Sequence, residues 1–483
     1  MIGYSKRSRL SPRKAAIREM ADCQAQERDS WIDKNAFYYE DDYRYMRFLV
    51  PEGLRVLELG CGTGQLLAAL KPSEGVGIDI SGEMVAWARK RHPQFAFIVG
   101  DVEDTAVISE LGKPFDVIIL SDTIGLLEDC ETTLSNLHQL CTRDTRLVIA
   151  YYNRLWGPLG WLCERIGEKM PQIGHNWLST DDIAGLLYLA DFEMVRREWR
   201  QLMPKRLFGV GRLLNRHIGT LPLLRRACLR NYVVARPVRN NALGRLSATV
   251  VVPCRNELGN IEAVVRRMPR FCEDLEILFV EGHSTDGTLQ EISRVIAEYP
   301  QCDIKVVQQD GVGKGDAVRK GFAKARGEVL MILDADLTVP PEDLPKFYKA
   351  LIEGKGSFIN GSRLIYAMEK SAMRPLNFLG NRFFALLFSY LLNERVTDTL
   401  CGTKVLTKSH YREIAAARQY FGDFDPFGDF DLIFGAAKAN LKIVEVPIRY
   451  GARIYGETKI SRFTHGWLLF HMVVFAYRKL KAF

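Results

Sequence analysis

Two separate blocks of the chain begin with a run of apolar residues that ends in a glycine-rich or polar turn and continues as a helical pattern. The first run lies between Arg55 and Cys61, and the second between Leu246 and Arg255. Short apolar runs bounded by turn residues are typical of buried strands, and their alternation with helices is typical of α/β domains. The pattern predicts an α/β protein with two doubly wound domains. Because the blocks do not resemble each other, it indicates a fusion and not a duplication.

Between the blocks, residues 204–237 combine basic residues with leucines in a broken helical rhythm, which predicts an appended helical region. A length of 483 residues is enough for two or three domains, each with its own core. The predicted organisation is a basic N-terminal extension (1–34), a first domain (35–200), a basic helical linker (201–245), a second domain (246–460) and an amphipathic, membrane-associated tail (461–483).

The net charge of +8 is concentrated in a few segments. Residues 196–245 hold thirteen Lys or Arg side chains against one acid, Glu198. Such a segment attracts an anionic partner. The leucines interleaved among these cations favour a role at an anionic membrane surface or between domains, and we do not expect nucleic acid as a partner.

The distribution of cysteines and apolar residues predicts where the protein is found. Ten cysteines are scattered without a CxxC pair, which is typical of a reducing, cytoplasmic compartment. The longest apolar runs, 383–392 and 467–477, are shorter than the roughly 20 residues that a membrane-spanning helix needs. We therefore expect a cytoplasmic protein that lies peripherally on the cytoplasmic face of a membrane.

Acidic residues follow several predicted strands of the first block. A glycine triplet that begins at Gly60 separates the first strand from a helix, so that the backbone can approach a ligand closely. Asp79 ends the second strand, nineteen residues after Gly60, and Asp101 and Asp122 end the third and fourth. An acid at about 20 residues from the first glycine can bind ribose hydroxyls. The sequence predicts a nucleoside site at the carboxyl edge of a parallel sheet.

Over residues 35–200, these motifs resemble the class I S-adenosylmethionine-dependent methyltransferases. The run from Glu58 to Gly64 looks like their first motif, and Asp79 looks like their ribose-binding acid. The resemblance implies a Rossmann-like domain that transfers a methyl group by direct displacement, in which the protein mainly aligns the reactants. It implies that S-adenosylmethionine is bound by Glu58, Gly60, Gly62, Gly64, Asp79, Ile80, Asp101, Val102 and Ser121.

The sequence does not identify the methyl acceptor. Asp122 and His175 are candidate general bases, although a capping acid and a satisfied loop histidine are the simpler interpretations. Tyr38, Tyr39 and Tyr43 are candidates to close over the cofactor, although their helical spacing is also typical of ordinary packing.

Two carboxylates, Asp334 and Asp336, follow a predicted buried strand of the second block. Carboxylates in such a position are unfavourable unless a cation or turn donors satisfy them. Hard oxygen ligands suit Mg²⁺ or Mn²⁺ bound to a diphosphate. Upstream, glycines surround Lys314 before a basic helix, an arrangement suited to holding phosphates. These features suit a site for a metal and a diphosphate, although two such carboxylates alone are more typical of a surface turn.

The order of motifs in residues 246–470 resembles the family 2 glycosyltransferases with the GT-A fold, and among them the dolichyl- or polyprenyl-phosphate mannose and glucose synthases. The motifs are Pro253 with Asn256 and Glu257, Asp286 to Thr288, Asp334 to Asp336, Asn360 to Arg363, Asp398 to Lys404, and Gly456 to Lys459. The resemblance implies a nucleotide sugar as donor, polyprenyl or dolichyl phosphate as acceptor, and Mg²⁺ or Mn²⁺ as cofactor.

The same resemblance implies overlapping sets of site residues. The nucleotide sugar is bound by Pro253, Arg255, Glu257, Glu281, Asp286, Lys314, Asp334 and Asp336, and the metal by Asp334 and Asp336. The catalytic residues are Asp334, Asp336, Arg363, Arg374, Arg453 and Lys459, with the four cations around the acceptor phosphate. Two departures from the family pattern leave questions open. Glu281 and Gly282 replace two aspartates, so that both GDP and UDP remain candidates, and Thr338 replaces a metal-binding glutamine.

The leading hypothesis is a bifunctional enzyme. It transfers a sugar with inversion from a GDP- or UDP-sugar to polyprenyl or dolichyl phosphate, and a methyl group from S-adenosylmethionine to an associated sugar or lipid-linked intermediate. A phosphate monoester is largely ionised near pH 7 and needs no catalytic base. In one alternative, the sugar acceptor is a glycan or secondary-metabolite hydroxyl, which requires a carboxylate base such as one from the cluster 423–431. In another, the first block is a non-catalytic module.

Overall fold

The computed structural model describes residues 10–171, 176–239, 242–363, 375–420, 430–448, 451, 455 and 462–482. For helical residues 375–379 and 462–466, it describes the backbone alone. The chain divides into two compact units, Met1–Asn240 and Asn241–Phe483. Each unit is a mixed α/β structure around a sheet rich in parallel strands, which confirms the predicted fold class.

The first unit folds around a sheet of seven described strands. These are β1 (Arg55–Leu59), β2 (Glu74–Asp79), β3 (Ala96–Val99), β4 (Phe115–Ser121), β5 (Cys141–Tyr152), β6 (Phe192–Arg200) and β7 (Arg230–Pro237). They lie in the order β3-β2-β1-β4-β5-β7-β6. Strands β1 to β5 are parallel, and β7 pairs antiparallel with both β5 and β6. The carboxyl ends of the parallel strands therefore meet at one edge.

Helices precede and connect these strands. They are α1 (Pro12–Gln24), α2 (Arg28–Lys34), α3 (Ala36–Leu49), α4 (Gln65–Leu70), α5 (Gly82–Arg91), α6 (Thr105–Ser109), α7 (Cys130–Asn136), α8 (Gly157–Arg165), α9 (Thr180–Leu189) and α10 (Val210–Leu213). Polar caps fix where several of them begin. Ser81 accepts a hydrogen bond from the Met84 amide at the start of α5, and Ser179 forms a capping box with Asp182 at the start of α9.

The prediction of a basic helical linker over 201–245 is wrong in its second part, because residues 230–237 form strand β7 inside the first sheet. The apolar residues of β7, from Tyr232 to Ala235, are buried. The flanking arginines are neutralised within the same unit, since Arg230 pairs with Asp42 and Arg236 pairs with Glu193. The first domain therefore does not end near residue 200.

The predicted N-terminal extension is also packed into the first unit from residue 10 onward. Asp22 in α1 accepts a hydrogen bond from the Ser81 hydroxyl at 2.5 Å. Asp29 in α2 forms an ion pair with Arg91 at 2.6 Å and accepts a hydrogen bond from the Gln65 amide at 3.1 Å. Helices α1 and α2 thus contact the helices that follow β1 and β2.

The second unit also folds around a sheet of seven described strands. These are β8 (Ala248–Cys254), β9 (Leu275–Glu281), β10 (Asp303–Gln308), β11 (Val329–Ile332), β12 (Phe358–Ser362), β13 (Lys404–Thr407) and β14 (Ile443–Pro447). Their order is β10-β9-β8-β11-β13-β12-β14. The first four strands of this order are parallel, and β13 pairs antiparallel with both β11 and β12. The loops after β8, β9 and β11 therefore lie at one edge.

The helices of the second unit are α11 (Ile261–Arg267), α12 (Thr288–Glu298), α13 (Lys314–Lys324), α14 (Leu344–Ile352), α15 (Pro375–Leu392), α16 (Lys408–Ala416), α17 (Phe430–Lys438) and α18 (Arg462–Leu480). The core lies between the sheet and these helices. Phe279 of β9 and Phe347 of α14 are fully buried there, as are the valines and isoleucines of β8 and β11.

The two long apolar helices, α15 and α18, pack against each other. Each buries one stripe, which includes Phe388 in α15 and Met472 in α18. Each also exposes large apolar side chains: Leu386 is 68% exposed and Trp467 is 62% exposed. Within the described residues, we find no helix with the length and hydropathy that crossing a membrane demands.

Candidate active sites

The loop after β1 adopts a conformation that only glycine accommodates well. Gly60, Gly62 and Gly64 all have positive φ, between 52° and 77°. A Cβ atom on Gly60 would lie 2.2 Å from Thr123 Oγ1, and the Thr123 hydroxyl itself donates to the Leu59 carbonyl. A Cβ atom on Gly62 would meet nothing within 4 Å. The backbone at Gly62 is therefore open to a ligand, while that at Gly60 is packed against the loop after β4.

Asp79, at the end of β2, is held in place by backbone donors. Its Oδ2 accepts a hydrogen bond from the Gly62 amide at 2.8 Å, and its Oδ1 accepts one from the Ser81 amide at 2.9 Å. Burial raises the pKa of Asp79, and these two N–H donors oppose the shift. The carboxylate is thus oriented by the glycine loop, and it retains lone pairs for hydroxyl donors of a ligand.

A cavity of about 190 Å³ opens above these strand ends. Seven of the nine predicted cofactor-binding residues line it: Gly60, Gly62, Asp79, Ile80, Asp101, Val102 and Ser121. Glu58 lines a smaller cavity that also touches Gly60 and Gly62. Gly64 is the residue that precedes α4 and shapes the turn. The structure therefore gathers eight of the nine predicted residues around two cavities that share Gly60 and Gly62.

Glu58 is a buried carboxylate whose Oε2 has no hydrogen-bond partner among the described residues. Burial raises its pKa to about 8, although the Leu67 amide opposes the shift. A buried polar atom without a partner is unfavourable and indicates a ligand donor. The cationic, hydrogen-bond-donating ammonium of S-adenosylmethionine fits the Glu58 cavity, and its ribose hydroxyls fit Asp79.

Sequence reasoning missed the residues that α1 and α2 bring to the cleft. Lys14 of α1 forms ion pairs with Asp101 at 2.5 Å and with Glu103 at 2.9 Å. Arg28 of α2 lines both the main cavity and the Glu58 cavity. No motif surrounds either residue in the sequence, because both reach the cleft through helix packing. Asp101 is therefore partly neutralised before any ligand binds.

Asp122 follows β4 with a φ of 60°, which is uncommon for a non-glycine residue. Its carboxylate pairs with the buried Arg230 of β7, which also donates to Asp42 at 3.2 Å. His175, the other candidate base, lies outside the described residues. The three tyrosines that are candidates to close over the cofactor all line the Glu58 cavity; they are Tyr38, Tyr39 and Tyr43.

In the second unit, the two predicted metal ligands follow β11. Asp334 Oδ1 forms an ion pair with Lys314 Nζ at 2.7 Å. Burial alone would raise the pKa of Asp334, but Lys314, with Lys404 and Arg363 farther away, holds that pKa below its usual value. A Cβ atom on Gly402 would lie 2.0 Å from Asp334 Oδ2. The carboxylate is thus fixed between a cation and a backbone that has no side chain.

Asp336 is held by the residue that replaces the family's glutamine. Its Oδ1 accepts hydrogen bonds from the Thr338 amide at 3.1 Å and the Thr338 hydroxyl at 2.8 Å. Thr338 therefore orients Asp336. Within the described residues, no group of three or more acidic, histidine or cysteine side chains forms a metal site. The donor set fits Mg²⁺ or Mn²⁺ held by one or two carboxylates and by substrate phosphates.

Arg363, predicted at the acceptor phosphate, is clamped by a buried carboxylate. Its Nε and Nη2 donate to the two oxygens of Asp398 at 2.6 Å and 2.8 Å. Glu445 of β14 in turn accepts from the backbone amides of Thr397 and Asp398. Burial opposes the ionisation of Asp398, but Arg363 holds its pKa below the usual value. The other three predicted cations, Arg374, Arg453 and Lys459, lie outside the described residues.

The loops after β8 and β9 bring the remaining predicted residues together by locking into each other. Asn256 Oδ1 accepts from the Thr285 amide, and Asp286 accepts from the amides of Leu258 and Thr288. Pro253 lies near the end of β8, and Arg255 and Glu257 lie in the loop after it. Glu281 is the last residue of β9, and Asp286 lies in the loop after it.

Two glutamates of this region, Glu281 and Glu257, already have partners. Glu281 accepts from the Ser284 amide at 2.6 Å and from Gln308, and despite burial these donors hold its pKa below the usual value. Glu257 accepts from the Asn260 amide group at 2.7 Å. Both carboxylates therefore shape the loops in the structure.

Comparison with known proteins agrees with this division. Residues 32–197 match the family model described as a methyltransferase domain, and residues 249–414 match the model of glycosyl transferase family 2. The chain therefore contains a methyltransferase domain followed by a family 2 glycosyltransferase domain.

Individual relatives match one half of the chain at a time. The dolichol-phosphate mannosyltransferase of Pyrococcus furiosus is 27% identical over 241 residues, which are 49% of this chain and 64% of that protein. The enzyme of the same name from Saccharomyces cerevisiae is 27% identical over 237 residues, 44% of this chain and 80% of that protein. A solved S-adenosylmethionine-dependent methyltransferase of Thermotoga maritima covers 46% of this chain and 99% of its own, with 20% identity and a TM-score of 0.35.

Proposed function

We propose that the second unit transfers a sugar, with inversion, from a GDP- or UDP-sugar to polyprenyl or dolichyl phosphate, and that the first unit transfers a methyl group from S-adenosylmethionine to an associated sugar or lipid-linked intermediate. The observation that carries the first half is the pair Asp334 and Asp336 in the loop after β11, with Lys314 Nζ 2.7 Å from Asp334 Oδ1. The observation that carries the second is the cleft lined by the glycine loop and Asp79.

In the proposed sugar transfer, the acceptor phosphate supplies its own nucleophile. Its second pKa is about 6, so that it is largely ionised near pH 7 and attacks the anomeric carbon without a protein base. Asp334 and Asp336 would hold a divalent metal, which when bound neutralises charge on the leaving diphosphate. Lys314, at the start of α13, is positioned to bind a donor phosphate. Arg363, oriented by Asp398, binds the acceptor phosphate.

In the proposed methyl transfer, the chain binds and aligns the cofactor. Glu58 accepts a hydrogen bond from its ammonium group, Asp79 accepts from its ribose hydroxyls, and Gly62 lets the backbone approach it. The cofactor supplies an electrophilic methyl group on a sulfonium. The rate advantage then comes mainly from alignment of the acceptor with that group.

One assay tests the sugar transfer. The full chain is incubated with a panel of GDP- and UDP-sugars, Mg²⁺ or Mn²⁺, and either polyprenyl phosphate or polyprenol. We expect a charged glycolipid from the phosphate and none from the neutral alcohol. An ionised phosphate attacks without a catalytic base, whereas an alcohol needs a base to remove its proton. Transfer to soluble hydroxyl acceptors, with no glycolipid from any donor, would contradict the proposal. Calorimetry with S-adenosylmethionine tests the first unit, and absence of binding at millimolar ligand would exclude methyl transfer.

We further propose that α15 and α18 help the protein to lie on an anionic membrane at its cytoplasmic face. Trp467 and Phe470 of α18 are exposed, and Arg478 and Lys479 end the same helix. The double variant W467A/F470A should sediment less with vesicles of phosphatidylglycerol and phosphatidylcholine than the unchanged protein. V312A is the matched control, since Val312 is an exposed apolar residue of the same unit. Equal sedimentation of all three proteins would refute this role.

A further inference from the structure

A second cavity of the first unit adjoins the cofactor cleft. It has a volume of about 150 Å³ and shares Arg28, Asp122 and Met170 with the cleft. Arg28 and Asp122 also line the Glu58 cavity. The three cavities therefore meet at Arg28 and Asp122. A group bound in the second cavity next to these residues would lie beside the methionine end of a cofactor that occupies the other two.

The walls of this second cavity are largely aromatic, and we refer to it as the aromatic chamber; among its lining residues are Trp31, Tyr38, Tyr152, Trp156 and Trp177. Tyr38 and Tyr152 are stacked, with ring centroids 6.4 Å apart, and the Tyr38 hydroxyl donates to the Tyr152 hydroxyl at 3.2 Å. Aromatic walls bind flat apolar groups by stacking and by burial of surface. The chamber thus suits a flat, apolar ligand.

Arg28 gives one end of the chamber a positive charge. Its guanidinium makes no ion pair within the described residues, and the contact that it does make is to the Met170 sulfur at 3.9 Å. The other lining cations have partners: Lys205 pairs with Glu168 at 2.6 Å, and Lys169 pairs with Glu164. Arginine recognises carboxylates and other oxyanions through paired N–H donors. Arg28 therefore favours an anionic group at the junction with the cleft.

The acids and phenols of the chamber are poor proton acceptors. Asp122 pairs with Arg230, and Glu168 pairs with Lys205 and Lys34. Burial raises the pKa of Tyr38 and of Tyr152, so that both keep their protons at neutral pH. A neutral alcohol would have to lose a proton during methyl transfer. The described lining suits an acceptor that arrives already ionised.

We propose that the aromatic chamber binds the methyl acceptor, and that this acceptor is a flat apolar acid whose ionised oxygen is held by Arg28. This inference rests on the proposed transfer of a methyl group from S-adenosylmethionine, and it assigns an acceptor other than the sugar or lipid-linked intermediate named above. In the reaction, the oxyanion attacks the methyl carbon, an O–C bond forms, and the C–S bond breaks with its electron pair passing to sulfur. The products are a methyl ester or ether and S-adenosylhomocysteine, and no proton is transferred.

A matched pair of probes tests the proposal: 2-naphthoate and 2-naphthalenemethanol, which have the same ring system and differ in charge. Calorimetry is done on the full chain saturated with S-adenosylhomocysteine. We expect naphthoate to bind about tenfold tighter or more, because a charge-assisted hydrogen bond holds it. R28Q should remove this preference and leave the weaker binding of the alcohol unchanged. Incubation with S-adenosylmethionine should convert naphthoate, and not the alcohol, into its methylated product.

Two further variants separate the chamber from the surface. W177A should weaken both probes equally, because Trp177 lines the chamber, whereas W161A should weaken neither, because Trp161 is 54% exposed and does not line it. Equal binding of the two probes, or binding unaffected by W177A, would overturn the inference. So would R28Q that loses affinity for S-adenosylhomocysteine instead of naphthoate, since Arg28 would then bind the cofactor's carboxylate. Failure of the unchanged protein to bind S-adenosylhomocysteine would instead refute the proposed methyltransferase function.

Discussion

The two units each place an aspartate at the end of a parallel strand, but they satisfy it in opposite ways. Asp79 in the first unit accepts from two backbone amides, and burial raises its pKa. Asp334 in the second unit pairs with the Lys314 ammonium, and its pKa is lowered. Backbone donors are fixed by the fold, whereas a lysine side chain can leave. Asp79 can thus accept hydrogen bonds from neutral hydroxyl groups, whereas Asp334 can exchange the lysine ammonium for a metal cation.

The largest expected effect tests the second half of this comparison. D334N should lower sugar transfer about 10³-fold or more, because the carboxamide cannot neutralise a divalent metal at the leaving diphosphate. Chelation of divalent ions should have the same effect on the unchanged protein. Neither change should affect calorimetric binding of S-adenosylmethionine.

D303N is the matched control for D334N, since Asp303 lies in the same sheet and pairs with Arg326 at the surface. This variant should keep full sugar transfer. If D334N kept more than a tenth of the unchanged rate, the assignment of Asp334 to the metal would fail.

The next effect concerns the loop that supports Asp79. G60A should lower the free energy of unfolding of the first unit by about 3 kcal/mol, because it combines positive φ with a collision at Thr123. G62A carries only the strain of positive φ and should cost about 1 kcal/mol. Urea unfolding followed by tryptophan fluorescence measures both, since six of the seven tryptophans lie in the first unit.

A second substitution sharpens the test of the Gly60 contact. Because the collision involves the Thr123 hydroxyl, T123A should recover part of the stability lost in G60A. It should recover none of that lost in G62A. Equal losses in G60A and G62A would show that backbone strain alone explains the glycine requirement.

A smaller effect should appear in the pH dependence of the first unit. Glu58 has a pKa of about 8 in the folded chain against 4.5 as its ordinary value, so that the folded state binds a proton that the unfolded state has lost between these values. Stability should therefore fall as pH rises, by about 2 kcal/mol between pH 5.5 and pH 7.5. E58Q should remove this slope. A parallel pH profile for the two proteins would contradict a raised pKa at Glu58.

The smallest effect concerns Lys314. Because the folded pKa of Asp334 lies below its unfolded value, the ion pair stabilises the second unit above that unfolded value and is lost as pH falls through the folded pKa. K314M should lower stability by less than about 1 kcal/mol at pH 7, and the gap should close below about pH 4. Calorimetric melting across this range measures it, and K346M is a control, since Lys346 pairs with Asp343 elsewhere. A gap that widened in acid would reverse the assigned direction.

The strand-end acids could be predicted from the sequence because their positions depend on local pattern. A run of buried residues predicts a strand, and a polar residue directly after it predicts a side chain at the carboxyl edge of the sheet. Asp79, Asp101, Asp334 and Asp336 all follow this rule. The glycine triplet is similarly local, since positive φ is required within the loop itself. Fold class and most site residues thus depend on interactions over a few residues.

The missed features depend on pairs that are far apart in the chain. Strand β7 was not predicted, because its arginines are typical of an exposed segment. The acid that neutralises Arg230 is Asp42, which lies 188 residues away in the chain. Arg28 and Lys14 reach the cleft only because α1 and α2 pack onto it. Thr338 replaces a glutamine of the family pattern, and the sequence did not show that its hydroxyl and amide orient Asp336. Residue composition and motif spacing do not predict contacts between residues so far apart in the chain.

The position of β7 also determines when the first unit can fold during synthesis and where the chain can be truncated. In the described sheet, β6 pairs with β7 and not with β5. Strand β6 therefore has no partner strand until residue 237 has left the ribosome. A fragment that ends near residue 200 would carry two unpaired strand edges, which favour aggregation. Expression of the first unit alone should therefore succeed when the fragment ends at residue 240 and fail when it ends at 200.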